Sequence, residues 1–160
     1  MREIKLPLTF LAYQNIDELP EDSKKLMLQA IESRKQAYAP YSRFRVGAAL
    51  ELEDGTVVLG NNQENAAYPS GLCAERTAIF YAGAVHGDKK IVRLCISAAS
   101  DDKIVDAPIP PCGGCRQSIC EYEIKQDANI EILFMGETGE VFQAESLKSL
   151  LPLIFDKKHL

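Results

Sequence analysis

Residues 91–99 read IVRLCISAA, a near-continuous apolar run that is typical of a strand buried inside a sheet. The chain on either side of this run is predicted to be helical. Residues 73–85 are rich in alanine and are followed by Gly87, whereas residues 112–126 begin directly after Pro111. A helix, a strand and a loop between the two helix starts make a crossover that returns the second helix beside the first.

The rest of the chain continues this alternation of helices and strands. The further predicted elements are a helix from about residue 20 to 37, strands at 45–52, 56–59, 130–135 and 141–142, and a short helix at 146–151. Asp54 and Gly55 between two of the strands are a strong hairpin signal. Residues 60–72 form a long polar loop with a possible binding role. This order predicts an α/β fold, a three-layer α/β/α sandwich.

The composition is that of one globular domain. The chain has 160 residues, of which 46% are hydrophobic and 26% are charged. Its formal net charge of −5 disfavours a protein that binds nucleic acid through a basic surface. No apolar stretch approaches the ~18 residues that a membrane-spanning helix needs. We therefore expect neither a nucleic-acid nor a membrane partner.

The N-terminus and the cysteine count bear on the cellular compartment. Residues 6–13 loosely resemble a signal peptide, but polar residues 14–18 follow without a small-residue cleavage site. Five cysteines cannot all pair within one chain, and Cys95 and Cys120 fall at positions expected of core residues. The sequence therefore predicts a cytoplasmic protein.

The other three cysteines lie at predicted helix starts. Cys73 opens one helix, and Cys112 and Cys115 form a Cys-x-x-Cys pair at the start of the other. Unpaired backbone N–H groups and the helix dipole favour thiolates at such positions, and thiolates are good zinc ligands. The three sulfurs could bind one Zn²⁺ and leave a tetrahedral position open, as catalytic sites do. His86 and His159 have no ligand spacing with these cysteines.

Glu75 follows Cys73 by two residues, and beside an open metal position it could move protons between water and a leaving group. Other interpretations remain open at this point. The Cys-x-x-Cys pair could be a redox pair as in thioredoxin-like proteins, or the zinc could be purely structural. Glu75 could merely complement the helix dipole.

Several longer stretches resemble the zinc-dependent cytidine deaminase family. Its metal motif resembles CAER at residues 73–76 together with PCGGCRQ at residues 111–117. Its pyrimidine-side segment, ribose-binding loop and C-terminal segment resemble APYSRFRVGAA at 39–49, NQENAAYP at 62–69 and LLPLIF at 150–155. The similarity covers about residues 22–157, which we take as part of a catalytic domain at 22–160. Residues 1–21 are an extension longer than expected of the family, either an added edge strand or an oligomer contact.

The resemblance implies roles for the metal site. The implied ligands of about one zinc ion per subunit are Cys73, Cys112 and Cys115. Glu75 would be the catalytic proton shuttle. Arg76 would offset the excess negative charge of three thiolates, and Gln117 would have a supporting role.

The resemblance also implies a substrate site. The implied substrate-binding residues are Phe44, Asn62, Glu64, Ala66, Tyr68, Ala74 and Phe155. Asn62 and Glu64 would bind the ribose 3′-hydroxyl, because an amide and a carboxylate can both read a hydroxyl group. The backbone N–H of Ala74 would contact the pyrimidine carbonyl. Phe44 and Phe155 would stack near the base.

The family's fold has a mixed five-stranded sheet between helices, and we expect the same here. The implied activity is zinc-dependent hydrolytic deamination of cytidine and deoxycytidine to uridine and deoxyuridine plus ammonia, in pyrimidine salvage. The alternative substrate is another cytosine-containing compound, such as a nucleoside antibiotic. A non-enzymatic zinc-stabilised module would keep the cysteines but would not need Glu75. We also expect a homotetramer with shared active sites, in which Phe155 reaches a neighbour's pyrimidine pocket.

Overall fold

The computed structural model describes residues 1–160 and contains one six-stranded sheet. The strands in chain order are β1 (Leu11–Tyr13), β2 (Phe44–Leu52), β3 (Val57–Asn61), β4 (Ile91–Ser100), β5 (Glu131–Met135) and β6 (Val141–Ala144). Their order across the sheet is β1-β6-β5-β4-β2-β3, and only β4 and β5 pair in parallel. The apolar run at 91–99 therefore lies inside the sheet, as predicted.

Three α-helices cover the two faces of this sheet: α1 (Glu21–Arg34), α2 (Ala74–Val85) and α3 (Gly113–Gln126). Successive strand residues point to opposite faces. Leu94 and Ile96 of β4 lie in one apolar cluster with residues of α2 and α3, whereas Cys95 lies in a second cluster with residues of α1. The predicted three-layer architecture is confirmed.

The sheet has one strand more than the five predicted, and the additional strand comes from the N-terminal extension. β1 pairs antiparallel with β6, so that Leu11 lies opposite Gln143 and Tyr13 opposite Val141. The hydroxyl of Tyr13 donates a hydrogen bond to Oε1 of Gln143 at 2.7 Å. Residues 11–13 of the N-terminal extension therefore form an edge strand of the sheet.

Two predicted helices are shorter in the structure. α1 ends at Arg34, because the next three backbone N–H groups bond to carbonyls three residues back, in a tighter turn. The helix predicted at 146–151 is reduced to a 3₁₀ turn at Leu147–Ser149. No helix of the chain is both long enough and apolar enough to cross a bilayer.

Candidate active site

The three cysteines predicted as metal ligands meet beside the starts of α2 and α3. Cys73 and Cys112 directly precede the two helices, and Cys115 lies in the first turn of α3. The Sγ atom of Cys112 lies 3.8 Å from that of Cys73 and 3.4 Å from that of Cys115, and all three sulfurs lie within 4.8 Å of one another. Zn–S bonds of ~2.3 Å at tetrahedral angles place two sulfurs ~3.8 Å apart. The donor atoms and their spacing therefore fit one zinc ion held by three thiolates.

Gly60 of β3 allows the first turn of α2 to lie close against the sheet. A Cβ atom at residue 60 would lie 2.4 Å from the carbonyl oxygen of Ala74 and 2.7 Å from the backbone nitrogen of Ala78. Both distances are shorter than any van der Waals contact, so the position requires glycine. The turn that carries Glu75 is thereby fixed relative to β3.

Arg76 places a positive charge beside the sulfurs. Its Nη2 atom lies 3.7 Å from Sγ of Cys73, and its Nε atom is buried without a hydrogen-bond partner. Hydrogen bonding from Cys115, with a further contribution from Arg76, outweighs burial and lowers the pKa of Cys73 to about 5. Hydrogen bonding to Cys73 and burial raise the pKa of Cys115. The chain itself therefore favours a thiolate at Cys73.

Glu75 is the buried carboxyl group of the site. Its side chain lines the same cavity as Cys73 and Cys112, while only 4% of the residue is exposed. Desolvation raises the pKa of Glu75 to about 6, against the opposing effect of a hydrogen bond from its own backbone N–H. A carboxyl group with a pKa near neutrality can both accept and donate a proton.

A cavity of about 660 Å³ opens over these residues. That volume lies within the ~300–1,000 Å³ typical of small-molecule sites. The predicted site residues that line it are Phe44, Asn62, Glu64, Tyr68, Cys73, Glu75, Arg76 and Cys112. The predicted residues that do not line it are Ala66, Ala74, Cys115, Gln117 and Phe155.

Asn62 joins the cavity to the start of β2. Its Oδ1 atom accepts a hydrogen bond from the N–H of Val46 at 2.8 Å, and its Nδ2 atom donates to the carbonyl of Phe44 at 2.9 Å. Each of the two atoms can make one further hydrogen bond. Asn62 therefore holds the strand end that carries Phe44 and retains capacity for a ligand hydroxyl.

Glu64 is held by the turn at residues 41–42. Its Oε2 atom accepts hydrogen bonds from the N–H groups of Tyr41 at 2.9 Å and Ser42 at 3.2 Å, and its Oε1 atom accepts one from the Ser42 hydroxyl. Desolvation raises the pKa of Glu64, but these hydrogen bonds outweigh it and lower the pKa. A carboxylate offers about four acceptor positions, so one stays free for a ligand. Sequence reasoning missed Tyr41 and Ser42, whose only signal was their place in the segment at 39–49.

Phe155 lies outside the cavity of its own subunit. It is 59% exposed, and its ring stacks on His159 with 5.6 Å between ring centroids. Its carbonyl accepts a hydrogen bond from Nε2 of Gln117 at 3.0 Å. Gln117 therefore contacts the C-terminal segment rather than the sulfurs. Ala66 is exposed in its loop, whereas Ala74 is fully buried at the start of α2.

Comparisons with known sequences point to one family. The family model of the cytidine and deoxycytidylate deaminase zinc-binding region matches residues 20–128. The cytidine deaminase of Halalkalibacterium halodurans is 41% identical over 134 residues, which cover 84% of this chain and 94% of that protein. The cytidine deaminase of Sporosarcina psychrophila is 38% identical over 139 residues, which cover 87% of this chain and 95% of that protein.

Comparisons with solved structures agree. The crystal structure of cytidine deaminase from Burkholderia pseudomallei has a TM-score of 0.71 at 37% identity and covers 86% of this chain and 100% of that chain. The crystal structure of cytidine deaminase from Mycobacterium tuberculosis has a TM-score of 0.65 at 30% identity, with coverage of 86% and 99%. The sequence matched by the family model includes the three clustered cysteines and Glu75.

Proposed function

The chain belongs to the cytidine and deoxycytidylate deaminase family, and from this premise we propose that it hydrolyses cytidine and deoxycytidine to uridine and deoxyuridine with release of ammonia. The observation that carries the proposal is the buried carboxyl of Glu75 beside the cysteine sulfurs, on one nucleoside-sized cavity. Because the products are reusable pyrimidine nucleosides, we assign the reaction to pyrimidine salvage.

Cys73, Cys112 and Cys115 would hold the zinc ion of this enzyme, because their sulfurs fit its preferred donors and spacing. When bound there, zinc lowers the pKa of water, so that a hydroxide nucleophile is available at neutral pH. Three thiolates outweigh the charge of one Zn²⁺. The guanidinium of Arg76 beside Cys73 offsets part of that excess.

Glu75 moves the protons of the reaction. Its carboxylate accepts a proton from the attacking water and donates one to N3 of the cytosine ring. The carboxylate then takes the remaining proton of the hydroxyl group that the attacking water has left on C4 and passes it to the C4 amino group. The amino group leaves as ammonia when the C4–N bond breaks and the C4 carbonyl forms. Desolvation of Glu75 suits both directions of transfer, since it brings the pKa of the carboxyl to about 6.

A second group of residues that line the cavity binds the sugar. Asn62 and Glu64 each retain hydrogen-bonding capacity after their contacts with the chain, and we assign them to the ribose 3′-hydroxyl. Tyr68 lines the same cavity, with its ring centroid 6.3 Å from that of Tyr41, and Ala66 belongs to the same loop. We assign the Ala74 backbone N–H to the pyrimidine carbonyl and the ring of Phe44 to stacking near the base.

The charges that line the cavity favour nucleosides over nucleotides. Glu64 and Glu75 are acidic, and Arg76, beside the sulfurs, is the one cationic lining residue. A phosphate group would meet carboxylates without a basic cradle, and like charges disfavour its binding.

We further propose that the enzyme is a homotetramer with shared active sites. Phe155 is exposed and lies outside its own cavity, so it can contribute to a neighbour's pocket. α2, whose first turn carries Glu75, also exposes large apolar side chains, namely Phe80, Tyr81 and Val85. Exposed apolar groups on one helix are typical of a protein–protein contact, and a closed symmetric assembly would cover them.

An ultraviolet absorbance assay tests the proposed activity. Cytidine and deoxycytidine should lose their cytosine absorbance, whereas cytidine monophosphate and a cytosine-containing oligonucleotide should react far more slowly. A chelator should abolish the change and added zinc should restore it. Comparable kcat/KM on the oligonucleotide would overturn the nucleoside assignment, and turnover unaffected by complete metal removal would overturn the zinc-dependent mechanism.

A further inference from the structure

The turn at residues 41–44 connects Glu64, which we assign to the sugar, with Phe44, which we assign to the base. The Ser42 hydroxyl donates a hydrogen bond to Oε1 of Glu64, and the hydroxyl oxygen of Ser42 accepts one from the N–H of Phe44 at 3.0 Å. Ser42 is therefore hydrogen-bonded to both Glu64 and Phe44, the residues assigned to the sugar and the base.

The Ser42 hydroxyl fixes the orientation of the Glu64 carboxylate. The two backbone donors of the turn, the N–H groups of Tyr41 and Ser42, both bond to Oε2 of Glu64. Among the hydrogen bonds of the chain, the Ser42 hydroxyl alone reaches Oε1. Without it the carboxylate would be held at one oxygen and could rotate about that contact.

The turn itself is held in an uncommon backbone conformation. Arg43 has a φ angle of 54°, in the left-handed region that non-glycine residues seldom adopt. Its guanidinium pairs with Asp102 at 2.9 Å, and its carbonyl accepts the N–H of Asp101 at 2.9 Å. Such conformations persist where the surrounding contacts hold them, often at ligand sites. These contacts keep Ser42 directed at Glu64.

We propose that Ser42 is a positioning residue that orients Glu64, so that the free acceptor position of this carboxylate meets the nucleoside 3′-hydroxyl. Ser42 thereby sets the preference for substrates that carry this hydroxyl. The inference rests on the proposed function, since Glu64 is there assigned to the sugar. Ser42 acts through Glu64 and needs no contact with the reacting atoms.

Steady-state kinetics on two nucleosides test this role. Wild-type enzyme, Ser42→Ala and Ser42→Thr are compared on cytidine and on 3′-deoxycytidine, which lacks the hydroxyl in question. Because the lost hydrogen bond is to a charged group, Ser42→Ala should lower kcat/KM for cytidine about tenfold, and for 3′-deoxycytidine less than about twofold. Ser42→Thr keeps the hydroxyl and should restore most of the preference for cytidine.

Ser146 provides a matched control. Its hydroxyl donates to Oε2 of Glu123 at 2.9 Å and accepts the N–H of Lys148 at 3.2 Å, the same pattern as Ser42 in a buried place remote from the cavity. Ser146→Ala should leave the ratio of the two kcat/KM values unchanged.

The possible outcomes separate this inference from the proposed function. An equal loss with both nucleosides in Ser42→Ala, or no recovery in Ser42→Thr, would overturn the positioning role. Ser42→Gly removes the same hydroxyl and decides the question if the alanine variant does not fold. A wild-type enzyme that treats both nucleosides alike would refute the Glu64 assignment and the inference with it. Failure to deaminate cytidine at all would refute the proposed function itself.

Discussion

Glu75 and Glu123 are buried to a similar extent, with 4% and 6% of each residue exposed, but they lie at opposite ends of the layer formed by α2 and α3. Glu123, in the last turn of α3, has its acceptors used by the chain. Its Oε1 atom accepts hydrogen bonds from the N–H groups of Ile130 at 2.8 Å and Leu147 at 2.9 Å, and its Oε2 atom accepts one from the Ser146 hydroxyl at 2.9 Å. Glu75, in the first turn of α2, lines the cavity instead.

The difference shows that burial alone does not identify a functional carboxyl group. Glu123 joins the end of α3 to the residues just before β5 and just after β6, so its hydrogen bonds contribute to folding. Glu75 has no comparable set of backbone donors and faces the space where a ligand would lie. A buried carboxyl group with free acceptor positions beside a cavity can exchange protons with a substrate, whereas one satisfied by three donors stabilises the fold.

We call the end of the α2 and α3 layer that contains Glu75 and the three sulfurs the functional end, and the end that contains Glu123 the structural end. The largest effect is expected from removing a sulfur at the functional end. Cys112→Ala should lose the bound zinc, most of the activity and some folding stability, because metal binding is coupled to folding. Elemental analysis of the purified protein should fall from about one zinc per chain to near zero. Cys120→Ala, in the helix that follows Cys112, is the matched control, because Cys120 is a buried core residue away from the sulfur cluster. Equal zinc content in the two variants would contradict the assigned ligand set.

Glu75→Gln should lower kcat by ~10²–10⁴-fold, the usual contribution of positioned proton transfer. Zinc content and melting temperature should stay close to those of the wild-type protein, because the amide keeps the size of the side chain. Glu123→Gln is the counterpart and should keep a normal kcat. If Glu75→Gln retained more than roughly a tenth of the wild-type kcat, its role as proton shuttle would be wrong.

Sequence reasoning located the functional end of the layer because its signals are local. Two short motifs contain Cys73, Glu75, Cys112 and Cys115, and their positions at helix starts follow from the flanking prolines and glycines. The apolar run at 91–99 likewise placed β4 inside the sheet. The roles of the site residues stay predictions that the variants proposed here would test.

The structural end of the layer could not be predicted in this way. The donors to Glu123 are 7, 23 and 24 residues away along the chain, so only the folded structure brings them together. For the same reason the sequence predicted five strands and left a sixth, edge strand in residues 1–21 as only one of two possibilities. β1 has three residues, and its hydrogen bond from Tyr13 to Gln143 joins positions 130 residues apart.

The stability effect at Glu123 is the next in size. Glu123→Gln should lower the free energy of unfolding by about 1–3 kcal/mol, because its hydrogen bonds lose their charge and one acceptor becomes a donor. Thermal melting should show it as roughly 2–4 °C per kcal/mol for a chain of this size. Glu121→Gln, an exposed position on the same helix, should change the melting temperature little. A large loss of kcat in Glu123→Gln with normal stability would break the distinction between the two glutamates.

The smallest effect is expected at Phe155. Within its own subunit this residue neither lines the cavity nor donates a hydrogen bond to Glu123. Phe155→Ala should raise KM for cytidine several-fold while zinc stays bound, because aromatic stacking contributes roughly 0.5–1.5 kcal/mol beyond the area buried. If Phe155 affected KM only through its stacking on His159 within its own chain, His159→Ala should raise KM by the same factor. We expect His159→Ala to leave KM near the wild-type value, and light scattering to give a mass of about four chains. A fully active monomer at assay concentration would show that one subunit completes its own pocket, and the shared-site proposal would then fail.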